Sequence, residues 1–283
     1  MQNIDSSGKK WRIEHSMNIS DSLTLPGVRH GLPGGVQDMR HFGFGARRVD
    51  EALGRERMPH AMLHEVQAAS KGDGASASAL CLLLAERCRR SASTKGKILW
   101  ASEDGQARRS GFLYPPGLID LGIDPGAIIC ARGKDNIAVL RAGADAVRSG
   151  AVGAVIIEAH GKKPRGLDMT ATRRLALFAR DSSVTVFLLR GDTSAGASAA
   201  YSRWQVAAAP SQALEANAPG HPVFDIKLLR HRRGIEGLSA RLEWKCEGRV
   251  FAEYAPDTGA VPAFSGIGKA LAGTWYQEQR KRA

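Results

Sequence analysis

Ser70, Lys71, Gly72, Asp73, Gly74 and Ser76 fall within the stretch 62–76, which reads MLHEVQAASKGDGAS. A buried strand, a small-residue loop and the start of a helix are expected to follow one another there. That is the order of a phosphate-binding loop. A working loop follows G-x-x-x-x-G-K-[S/T], in which backbone N–H groups enclose the phosphates, the Lys neutralises them and the hydroxyl ligates magnesium. The register set by Glu65 to Gln67 puts Ala68 at the first glycine and Asp73 at the second. Gly74 stands where the Lys belongs, and Ala75 where the hydroxyl belongs. Lys71 comes early and Ser76 comes late. Asp73 would set a like charge beside a phosphate. A slipped loop using Lys71 or Ser76 is one alternative, because a helix N-terminus attracts anions unaided. The other is a non-binding turn that keeps small residues for close packing, and the missing cation and hydroxyl favour it.

Two carboxylates extend the question. Glu103 follows a short apolar strand and could position an attacking water. Glu158 ends the next-but-one strand, where a carboxylate commonly holds magnesium. Both are also ordinary residues for a strand end. Without a cation clamp, two carboxylates do not stabilise the charge that develops in phosphoryl transfer. The expectation is a protein that is not an enzyme and has no cofactor and no metal. His60 and His64 flank a strand start and read as structural. G-x-S-x-G and H-E-x-x-H are absent. Cys81, Cys88, Cys130 and Cys246 lack metal-ligand spacing. Cys81 and Cys88 fit one buried helix face.

Cations are the other chemically informative class. The 283 residues carry a formal net charge of +12 and a pI near 9.9, which implies attraction to a polyanion, nucleic acid being the commonest. Lys162, Lys163 and Arg165 form a basic loop at a strand end, where open α/β sheets place ligand sites. Arg230, Arg232 and Arg233 close a late strand, and Arg280, Lys281 and Arg282 close the chain. These three clusters are the candidate DNA- or partner-binding residues. Arg173, Arg174 and Arg180 give a predicted helix a basic edge.

The elements that must position these residues follow from periodicity. Strands are expected at 62–69, 97–102, 127–131, 153–158 and 184–189, and helices at 76–90, 135–149 and 168–179, with 111–126 holding at most a short helix. Asp135 or Asn136, and Asp168 or Thr170, are candidate caps. Almost unbroken apolar strands alternating with helices indicate an α/β fold with a mainly parallel sheet covered on both faces. Strand-like runs at 202–208, 223–230, 238–246 and 249–254, without helices between them, add antiparallel strands toward the C-terminus. Residues 1–41 read as a partly disordered N-terminal extension, 42–255 as the domain with the degenerate loop, and 256–283 as a basic C-terminal tail. No apolar run is long enough to span a bilayer and no secretory signal is legible, so a cytoplasmic protein without membrane contact is expected.

FGFGARRVDEAL at 42–53 followed by MPHAMLHEV at 58–66 is similar to the entry of a RecA core, where a short helix leads into the phosphate-loop strand. The pattern resembles the ImuA family more closely, the RecA-like proteins of bacterial mutagenesis cassettes. RRLAL at 173–177, VFLLR at 186–190, SRWQV at 202–206, FDIKLLR at 224–230 and LEW at 242–244 carry the likeness across roughly 42–254. The resemblance implies a RecA-like core and a non-catalytic accessory role in SOS-induced translesion DNA synthesis and repair of DNA damage. It implies as partners an ImuB-like inactive Y-family polymerase homologue and an error-prone polymerase subunit, with RecA and DNA as further candidates. Two readings compete with it. One is an active P-loop ATPase of the RecA or DnaB type with an atypical loop. The other is a regulator that binds RecA filaments or another protein without touching DNA.

Overall fold

The computed structural model describes residues 40–54, 57–92, 96–161, 164–191, 196–214, 218 and 220–254. The expected N-terminal extension, apart from Arg40 and His41, and the basic tail lie outside them. The elements run in the order β1 (His41–Phe42), α1 (Arg47–Ala52), β2 (Met58–Pro59), β3 (Leu63–Ala68), α2 (Gly74–Ser91), β4 (Ile98–Glu103), α3 (Asp104–Ser110) and α4 (Pro115–Asp120). They continue with β5 (Ile128–Gly133), α5 (Asn136–Ser149), β6 (Ala154–Ala159), α6 (Met169–Ser182), β7 (Thr185–Arg190), β8 (Ser202–Ala209), β9 (Val223–His231), β10 (Ser239–Lys245) and β11 (Val250–Glu253).

Nine strands form one sheet in the order β11-β10-β9-β8-β3-β7-β6-β4-β5. Pairing is parallel from β8 to β5 and antiparallel from β8 to β11. This is the α/β architecture expected, consistent with a RecA-like fold, and β3 lies at its centre. Three elements differ from expectation. Helix α3 follows β4 directly; its sequence, DGQARRS, has too few apolar residues to show a period. Strands β1 and β2 form a small antiparallel pair, in which His41, the last residue of the stretch read as an extension, pairs with Pro59.

Two apolar layers flank the sheet. On one side α2 packs with Val66, Ile98, Trp100, Ile156, Phe187, Trp204 and Phe251, and Phe44, Leu118 and Ile123 close over it. Leu82, Leu83, Leu84, Ala85 and Glu86 are consecutive and all buried, so α2 is enclosed on every side. That explains why its apolar residues show little periodicity. On the other side α5 and α6 bury Val139, Val147, Leu175 and Ala179 against Leu63, Val155, Ile157, Val186 and Leu188. The caps follow the sequence: Asp135 accepts from Ala138 N at 2.8 Å and Asp168 from Ala171 N at 2.7 Å. Gly150 ends α5 at φ +64°, a left-handed position that favours glycine. Gly96 approaches Gly153 so closely that a Cβ there would stand 2.4 Å from the Gly153 nitrogen. Among the described residues no helix is long and apolar enough to cross a membrane.

Candidate functional site

The loop after β3 is short and closed on itself. Ala69 N donates to Val206 O of β8 at 2.8 Å, which holds the chain against the sheet as it leaves the strand. Residues Lys71–Asp73 then make one 3-10 turn. Ser70 caps it: its hydroxyl accepts from Gly72 N at 3.2 Å and donates to Asp73 Oδ2 at 2.6 Å. Asp73 N donates to Ser70 O at 3.1 Å. The second carboxylate oxygen of Asp73 accepts from Ala208 N at 2.9 Å. The N–H groups of Ala69, Gly72 and Asp73 are thus bonded within the protein. The carboxylate of Asp73 occupies the turn's hydroxyl and a backbone donor of β8. Lys71 is exposed, Gly74 opens α2 in ordinary helical geometry, and Ser76 is half-buried in its first turn.

Glu158 lies on the α2 face of β6, on the same edge of the sheet as the loop. Its Oε2 accepts from Trp100 Nε1 at 3.0 Å. His160 Nε2 lies 3.0 Å from Oε1, near enough for an imidazolium to pair, although off the direction of a hydrogen bond. Asn136 at the start of α5 exchanges two 3.3 Å bonds with the backbone of His160, fixing the turn after β6. Glu103 ends β4. Strand alternation puts it with Ala101, which packs on the α5–α6 side, away from Glu158. The two carboxylates therefore do not converge on one point.

The basic residues separate similarly. Arg165 is exposed on the loop after β6, at the carboxyl edge of the parallel strands. Arg230, Arg232 and Arg233 sit at the opposite edge, because β9 runs antiparallel to β8 and pairs Arg230 with Arg203 and His231 with Ser202. Arg230 Nη1 donates to Ser198 O, and Arg232 N donates to Tyr201 O at 2.8 Å. Lys162, Lys163, Arg280, Lys281 and Arg282 lie outside the described residues.

Sequence reasoning missed the charged group at the sheet centre. Glu65, fully buried in β3, accepts from Arg203 Nε of β8 at 2.5 Å and from Arg190 Nη1 of β7 at 3.2 Å. Arg203 also holds the crossing segment between β7 and β8, through Gly196 O and Ser198 Oγ at 2.8 and 3.0 Å. Arg190 lines a cleft of about 210 Å³ with Leu167, Asp168, Thr172 and Gly196. The signal was an acid in a strand expected to lie within the sheet, which needs a cation if it is to be buried.

Histidines form a second buried polar group. His64 lies between Ser202 Oγ, 2.8 Å from Nδ1, and Pro59 O, 3.0 Å from Nε2. Trp204 Nε1 donates to the same hydroxyl at 3.1 Å. An N–H on Nε2 and a lone pair on Nδ1 satisfy every partner, so this imidazole is neutral. Burial lowers its pKa to about 4. His60, against Ser91 and Cys88, is also lowered to about 4 by burial. Both serve the structure, as their flanking positions suggested. Burial raises the Cys88 thiol to about 12 and the Cys81 thiol well above its ordinary value, which leaves neither nucleophilic.

No family model matches the chain. Over 208 residues it is 30% identical to Protein ImuA of Caulobacter vibrioides strain NA1000 / CB15N, covering 69% of this chain and 80% of that protein. Protein ImuA of C. vibrioides strain ATCC 19089 / CIP 103742 / CB 15 matches with the same identity and coverage. The chain belongs to the ImuA family. In this ImuA-family chain the turn after β3 has its polar groups bonded to one another and to β8.

Proposed function

We propose that the protein is a non-catalytic, RecA-like accessory factor of damage-induced translesion DNA synthesis. It works in the cytoplasm by holding other proteins: an inactive Y-family polymerase homologue and an error-prone polymerase subunit. Contact with DNA belongs to the same reading and would draw on the exposed cations. Membership of the ImuA family supports the setting. The observation that carries the absence of catalysis is the closed turn, with Gly74 where a phosphate-binding Lys would stand and Asp73 held by Ser70 Oγ and Ala208 N. Phosphoryl transfer needs cations aimed at the developing charge. Glu158 is instead engaged by Trp100, and Glu103 lies on the other side of the sheet.

The test is genetic. A strain lacking the protein is complemented with the wild type or with Lys71→Ala, and damage-induced mutation frequency is measured. The reading expects full complementation by Lys71→Ala and none by an empty vector. Loss of induced mutagenesis with Lys71→Ala at normal protein level would overturn the non-catalytic assignment. Full induced mutagenesis with the empty vector would overturn the role itself.

A further inference from the structure

We propose that the outer face of α6, with the adjoining part of α5, is a docking surface for an acidic segment of a partner protein that carries an apolar side chain among its carboxylates. Helix α6 turns Thr172, Leu175 and Ala179 inward. Its outward face presents Arg173, Arg174, Leu177 and Arg180, all exposed, with Leu177 at 50%. Leu177 is four residues from Arg173 and three from Arg174 and Arg180, so all three arginines are its neighbours on one face. On α5, which packs beside α6, Arg141 is exposed, and the Arg148 guanidinium lies 5.5 Å from the Phe178 ring centroid. Among the described residues Arg141, Arg173, Arg174 and Arg180 make no ion pair. The acids on these two faces are Asp145, which is 3.8 Å from Arg148, and Asp181.

Leu177 is thus exposed and flanked by three arginines that make no ion pair among the described residues, with Asp181 at its fourth helical neighbour position. It fits a complementary chain. Arginine is the side chain suited to bidentate carboxylate recognition at interfaces, and acidic motifs are read by arginine clusters around an anchor. A nucleic-acid backbone would use the cations and leave Leu177 idle. A second copy of the chain would bring its own charge of +12 to a basic face. The chain's own ends supply no acidic segment: residues 1–39 hold four acids and four Lys or Arg, and 255–283 hold two acids and four. The surface lies on a different element from the phosphate-like loop, so nucleotide binding there would leave this proposal standing.

Fluorescence anisotropy with the full chain tests it, using three labelled probes. These are a short Glu/Asp-rich peptide with central Leu and Phe, the same peptide with Ser at those two positions, and a single-stranded oligonucleotide. The expected result is that the Leu/Phe peptide binds more tightly than both other probes. Joint Arg173→Glu and Arg174→Glu substitution should weaken it at least about tenfold, and Leu177→Ser about three- to tenfold, with unchanged melting temperatures. Absence of peptide binding to the wild type, or affinity unmoved by these variants, overturns the proposal. So does binding that needs the arginines but not Leu177 and is matched by the oligonucleotide, which would make the face a nucleic-acid surface.

Discussion

Asp73 sits in the turn where a bound phosphate would be least welcome to it, and its two oxygens are accounted for by Ser70 Oγ and Ala208 N. Asp73→Ala should release the turn from β8 and lower the melting temperature, at a cost of about 1–2 kcal/mol for charge-assisted bonds in a partly exposed site. It should not create nucleotide binding, because the Lys and the hydroxyl are still missing. Differential scanning fluorimetry with and without ATP and magnesium checks both outcomes. Glu65 is the costlier position. Glu65→Gln leaves two guanidiniums at the sheet centre with no counter-charge, and breaking such a group costs about 3–5 kcal/mol. Urea denaturation should show that loss, and a variant as stable as wild type would mean that water already reaches Arg190 and Arg203.

At the scale of elements, α2 is the helix on which the packing converges. Leu83→Ala removes a fully buried side chain from an enclosed helix and should cost about 2–5 kcal/mol, read from the urea midpoint. How much of this arrangement the chain discloses depends on what each segment's residues must satisfy. The parallel strands β4, β6 and β7 are largely apolar runs because both faces are covered, so their residues alone define them, whereas β3, LHEVQA, buries His64, Glu65 and Gln67 as well. Helices α5 and α6 were legible to within a few residues, since each is amphipathic and opens on a capping Asp. Helix α3 was not legible, because DGQARRS holds one apolar residue, Ala107, and so shows no period. The candidate site was half legible. Residue types alone show that Gly74 and Ala75 bring neither a cation nor a hydroxyl to the loop. The Ser70–Asp73–Ala208 closure is a contact across 135 residues and leaves no local mark. The same holds for Glu65 with Arg190 and Arg203, and for the placing of Arg165 and Arg230 at opposite edges, which follows from the direction of β9.

For the whole molecule, acid should be a specific weakness. His60 and His64 have folded pKa values near 4, below the ordinary 6.5. Between those values the unfolded chain binds more protons than the folded one, so stability rises with pH across that window. It is fully present above about pH 6.5 and is lost progressively as pH falls toward 4. Urea midpoints taken at several pH values between about 7.5 and 4.5 should decline accordingly, and a flat profile would contradict the buried neutral imidazoles. The proposed role requires a RecA-like sheet whose loop no longer binds phosphate. Isothermal titration of the full chain with ATP and magnesium tests that most directly. The prediction is no heat of binding at micromolar to millimolar nucleotide, in the wild type and in Lys71→Ala alike. Micromolar binding that disappears in Lys71→Ala would contradict it.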